Sequence, residues 1–155
     1  MKLTEKENLL LKDLKTAEQL CIDKYGEYAK IANDKKLKNL FNSILEKENE
    51  HLKTVQKILS GKAVTMPSGK NSSSSQKSGG SLKSQAKLSQ KEIEKDCFLC
   101  QDLLSTEKYV ASVYNTGVFE FTQPKLRNIL NHIQKEEQEH GFKIYQYLSA
   151  NNMVG

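Results

Sequence analysis

A glutamate stands three residues before a histidine twice in this chain, in EKENEH at 46–51 and in KEEQEH at 135–140. On a helix, residues three apart share a face. Each pair, Glu48 with His51 and Glu137 with His140, therefore offers an oxygen and a nitrogen to one point beside the helix. Such mixed donors suit divalent transition metals. One pair alone is commonplace on a solvated face, so the weight rests on where these two fall in the chain.

Both fall in otherwise apolar seams. Four segments read as helices, at about 5–32, 35–60, 90–121 and 124–149, and no strand pattern competes with them. Thr4 with Glu7 and Ser89 with Glu92 form capping boxes, and Asn33-Asp34 and Thr122-Gln123-Pro124 supply stop and start signals within each half. The first helix steps by three and four through Leu11, Leu14, Glu18, Cys21, Tyr25, Tyr28 and Ala32, and the second through Leu37, Phe41, Ile44, Glu48, His51, Val55 and Ile58. The third runs through Cys100, Leu103, Glu107, Val110, Tyr114, Gly117 and Phe121, and the fourth through Leu126, Leu130, Ile133, Glu137, His140, Ile144 and Tyr147. Tyrosines and cysteines aside, the only ionisable residues on these seams are Glu18, Glu48, His51, Glu107, Glu137 and His140. The other acidic letters of the two stretches, the repeated Glu50 and Glu139 among them, are expected at the surface.

The halves superpose without a gap when the chain is slid by 89 positions: Glu18 falls on Glu107, Tyr25 on Tyr114, Leu37 on Leu126 and His51 on His140. This predicts a duplicated helical hairpin, with hairpin 1 at 4–60 and hairpin 2 at 90–150 in one all-α domain spanning 1–155. Glu18 and Glu48 lie at equal heights, each roughly 22 Å from the turn at Asn33-Asp34 at about 1.5 Å per residue. Four carboxylates and two imidazoles thus converge on one core layer. A buried, unpaired carboxylate costs roughly several kcal/mol even after relaxation, so the layer must take up protons or countercharge. Two divalent cations would balance four carboxylates.

The rest of the sequence narrows the field. The 155 residues are 37% hydrophobic and 28% charged, which suits one domain with a real core. The net charge of +5 invites a nucleic-acid reading, but residues 61–91 hold six lysines and no acid, leaving 18 basic against 19 acidic side chains elsewhere. The basic excess belongs to a Ser-, Gly- and Lys-rich stretch at 61–89, read as a disordered crossover linker, so nucleic acid is a weak candidate partner. Cys21, Cys97 and Cys100 are an odd number, and the lone C-x-x-C lacks the second pair of a zinc ribbon; they read as apolar helix positions. No run is apolar enough to span a membrane, and charge interrupts Leu9-Leu10-Leu11 too soon for a signal peptide, so a cytosol-like site of synthesis is expected.

A Glu from each of two helices with Glu-x-x-His from each of the other two is the ligand set of ferritin-like di-iron and di-manganese carboxylate proteins. The sequence resembles that superfamily over all four helices, as a four-helix bundle with a long crossover. The resemblance implies two divalent ions, iron or manganese. Glu48 and Glu137 would bridge them, Glu18 and Glu107 would be terminal carboxylates, and His51 and His140 terminal nitrogens. Tyr25 and Tyr114 stand where bacterioferritin and rubrerythrin also place a tyrosine. They would hydrogen-bond a metal-bound carboxylate, with packing alone as the alternative.

The second half, DLLSTEKYVASVYNTGVFE followed by LRNILNHIQKEEQEHGFKIYQYL, is similar to the spore coat protein F family of endospore-forming bacteria over about residues 93–149. The first half follows that pattern more loosely. This resemblance implies a coat protein made in the mother-cell cytoplasm and deposited on the spore. Its partners would be other coat proteins, or copies of itself. The competing expectation is a cytoplasmic redox enzyme acting on dioxygen or peroxide, of the rubrerythrin or manganese-catalase kind.

Overall fold

A computed structural model of the chain describes residues 2–66 and 82–154. Among these residues there are four helices and no strand: α1 (Glu5–Ile31), α2 (Lys35–Leu59), α3 (Gln90–Glu120) and α4 (Pro124–Ala150). Each starts where the sequence supplies a reason. Both capping boxes form, with Thr4 and Glu7 exchanging bonds at α1 and Ser89 and Glu92 at α3. Asp34 caps α2, and Pro124 opens α4, where its missing N–H costs nothing. Gly61 ends α2 with φ of 74°, a conformation in which a side chain would be strained.

The seams bury almost as read. Every seam position of α2, α3 and α4 is in the core, and α1 departs only at its last turn, where Ala29 takes the buried place of Tyr28. Tyr28 instead lies half-buried at the rim and donates to Asp102 at 2.7 Å. Gly117 marks a close contact between α3 and α4, because a Cβ there would lie 3.0 Å from Leu130 Cδ1.

The helices form a four-helix bundle. α1 packs on α2, α3 on α4, and α1 on α3. Tyr25 reaches Glu107 and Tyr114 reaches Glu18, so α1 and α3 are antiparallel; His51 reaches Glu137 and His140 reaches Glu48, so α2 and α4 are antiparallel too. Hence α2 and α3 run in the same direction, and the chain between them must return along the bundle, about 37 Å for a 25-residue helix. It leaves α2 at one end and is next described at the other. There the Asn151 amide at the end of α4 holds Leu82 O at 3.0 Å and the Ser84 N–H at 2.7 Å. The linker read at 61–89 is thus docked at both ends, through buried Val64 and through Leu82 against the core, while its centre, 67–81, lies outside the described residues.

Two buried acids unnoticed in the seams tie the turns down. Asp96 on α3 accepts from the N–H groups of Asn33 and Asp34 at 2.8 and 2.9 Å, where α2 begins. At the other end Glu7 on α1 accepts from the N–H and hydroxyl of Thr122 at 3.1 and 3.0 Å, just before α4. Glu7 and Asp96 stand 89 positions apart, as do Asn33 and Thr122. Each hairpin's turn is therefore fastened by the other hairpin. A carboxylate beside the first amides of a helix also suits its positive end.

Candidate metal centre

All six predicted residues meet in one layer at mid-bundle, and all are buried. Glu18 comes from α1, Glu48 and His51 from α2, Glu107 from α3, and Glu137 and His140 from α4. Their donor atoms form two groups, Glu18 with Glu48, His51 and Glu137, and Glu107 with Glu48, Glu137 and His140. Within each group the atoms lie within 4.8 Å of one another, and both groups contain Glu48 and Glu137. Helix spacing explains this sharing. The two Glu-x-x-His turns face each other across the bundle, so Glu48 and Glu137 each lie within reach of both groups.

Both imidazoles present Nδ1 to the carboxylates. His51 Nδ1 lies 2.8 Å from Glu137, 3.2 Å from Glu48 and 3.6 Å from Glu18. His140 Nδ1 lies 2.8 Å from Glu48 and 3.5 Å from both Glu107 and Glu137. The rings stack with centroids 5.8 Å apart. Tyr25 donates to Glu107 and Tyr114 to Glu18, each at 2.6 Å. The phenols therefore serve carboxylates of the opposite hairpin, a pairing that seam periodicity could not give.

The layer's electrostatics follow from burial and crowding. Burial, with Glu48 close by, drives Glu18 up to about 7 against the pull of His51. Burial, with the carboxylates of Glu107 and Glu18 close by, pushes Glu137 well above the usual carboxylate range. Burial acts on Glu48 too, but hydrogen bonds from His140 and His51 outweigh it and hold its carboxyl well below that range. Burial alone would lower both histidines, yet the surrounding carboxylates lift each to about 11. Cys21, on the α1 seam, is kept a neutral thiol by burial and by Glu48, Glu107, Glu137 and Glu18.

A divalent transition metal fits these residues. Among the described residues, Glu18 Oε2, Glu107 Oε2 and Glu137 Oε2 are buried without any hydrogen-bond partner. Native interiors rarely leave such atoms unmatched, and a carboxylate oxygen orphaned beside other donors is what a cation would satisfy. Carboxylate and imidazole donors suit iron, manganese or zinc.

One participant escaped the sequence reading. Glu136, expected at the surface with the other acids of KEEQEH, is only 17% exposed, and its Oε1 lies 3.4 Å from His51 Nε2 and 3.0 Å from His132 Nε2. The available signal was the four-residue step from His132 to Glu136, which places both on one helix face. Glu50 and Glu139 are exposed as expected.

Residues 95–154 match the family model described as the Coat F domain, from the second turn of α3 through α4 to the C-terminal tail. No curated protein and no solved structure matches the chain.

Proposed function

We propose that this chain, whose residues 95–154 match the Coat F domain, is a spore coat protein whose ferritin-like bundle of duplicated hairpins holds two divalent transition-metal ions, iron or manganese. The observation that carries the metal reading is the pair of buried four-donor groups sharing Glu48 and Glu137. Glu18 and His51 would hold one ion, Glu107 and His140 the other, and the shared carboxylates would serve both. Tyr25 and Tyr114 would orient the terminal carboxylates through the oxygens they already contact. Ions held by these residues would supply positive charge, Lewis acidity and, for iron or manganese, a change of oxidation state. The chain's own contribution is to fix the ligands, exclude water from the layer and hold the tyrosine protons.

Elemental analysis of protein expressed in metal-supplemented medium tests the metal reading. About two ions per chain are expected, with a large loss in Glu48→Ala and His140→Ala. A content near zero, unchanged by either substitution, sinks it. The coat reading predicts recovery in the insoluble coat fraction of mature spores, and recovery only from vegetative cytosol would oppose it.

The buried phenols against terminal carboxylates favour a second reading, a redox enzyme acting on dioxygen or peroxide. Iron-oxidation and peroxide-dismutation assays on the loaded protein separate the two. Turnover that disappears in Tyr25→Phe and Tyr114→Phe would favour the enzyme, whereas inactivity in both assays favours a structural metal.

A further inference from the structure

The ligand layer repeats across the two hairpins, but its surroundings do not. His51 Nε2 faces Glu136 Oε1 at 3.4 Å, and the same carboxylate is anchored by His132 Nε2 at 3.0 Å and by Lys47 Nζ at 3.3 Å. Eighty-nine positions before Glu136 stands Lys47, and 89 before His132 stands Ser43. Neither offers an acidic acceptor. Among the described residues, His140 Nε2 has no hydrogen-bond partner, while its Nδ1 faces the layer just as that of His51 does.

A carboxylate that accepts the outer N–H of a ligating histidine fixes its tautomer, holds the ring in the orientation for binding, and makes the inner nitrogen a better donor. Loss of such a partner typically costs about 10–100-fold in metal affinity. We propose that the two metal positions are inequivalent, and that Glu136 is the positioning residue that makes the Glu18–His51 position the tighter of the two. This inference rests on the two-metal reading above. Glu136 touches no proposed metal position itself. It acts through His51, braced from outside by His132 and Lys47.

Titration of the full chain with manganese(II), followed by calorimetry, is the test. The native chain should bind in two steps separated by about 10–100-fold, with His51→Ala removing the tighter step and His140→Ala the weaker. Glu136→Ala should weaken the tighter step by a similar factor and leave the weaker one in place, so that the steps merge; Glu136→Gln, which keeps an acceptor but no charge, should fall between. Glu50→Gln controls for charge, since Glu50 also binds Lys47, at 3.1 Å, yet does not contact His51. It should change neither step. A purely structural role for Glu136 would weaken both steps together, and that outcome overturns the proposal. Two equal steps in the native chain overturn it as well while leaving the two-metal reading intact. Absence of any binding overturns both.

Discussion

Loading two divalent ions into the mid-bundle layer should expel at least about two protons per chain at pH 7, because every ligand must shed its proton to bind. The count comes from four groups. His51 and His140, both lifted to about 11 by the carboxylates around them, each carry a proton at neutral pH. Glu137, held well above the usual carboxylate range by burial and by Glu107, adds to the release. Glu18, raised to about 7 chiefly by burial, carries roughly half of one. Glu48 contributes none, since the two histidines keep it ionised. The combined affinity for two ions should therefore fall by at least roughly two powers of ten from pH 7 to pH 6, or about 3 kcal/mol. Calorimetric titration in two buffers of unlike ionisation enthalpy measures the protons, and repeating it at both pH values measures the slope. Release of less than about one proton per chain, or an affinity that does not move with pH, would refute the assignment. Binding would then belong to exposed acids, such as Glu50 and Glu139.

Glu7→Ala and Asp96→Ala should each destabilise the fold by about 2–4 kcal/mol, since each strands two or more donors of the opposite turn; thermal melts should fall, with metal stoichiometry unchanged in the folded fraction. Burial tends to raise Glu7, but bonds from Thr4 and Thr122 win and lower it, so its contribution is complete above the unfolded carboxyl value of 4.5 and is lost as pH falls through the lower folded value. Acid denaturation of Glu7→Ala should accordingly be shallower than that of the native chain over that window. Tyr25→Phe and Tyr114→Phe each leave a buried carboxylate oxygen unmatched and should cost about 1–3 kcal/mol apiece, measurable by urea unfolding. Two unequal losses would contradict the matched geometry of the hydroxyls.

Helix spans, caps, turns and the mid-bundle layer are legible in the sequence because each depends on local chemistry or on a period of about 3.6 residues. The seam steps identify which face of each helix is buried, and equal distance from a turn fixes which residues share a height. Neither tells which helix lies across from which. That is why Tyr25 and Tyr114 could be placed near the layer but not assigned to Glu107 and Glu18. The capping-box spacing exposed one oxygen's work for Glu7, while its other oxygen serves a residue 115 positions away. Glu136 was misread for a related reason. It lies just off the seam, where a long side chain can still reach inward over a neighbour's ring.

The reciprocal fastening of the two hairpins bears on how this protein comes to fold. Every histidine and every tyrosine of the layer finds a carboxylate in the opposite hairpin, and so does each turn. Alone, either hairpin would present an apolar strip interrupted by acids, with half of the donors and without the shortest contacts, which all cross to the other hairpin. The two behave as the subunits of an internal dimer, whose encounter the crossover segment converts from a bimolecular event into an intramolecular one. Tethering two binding partners on one chain typically sets an effective concentration on the order of millimolar. Cutting the chain within residues 67–81 should then leave two fragments whose association, and with it the whole bundle, depends on dilution.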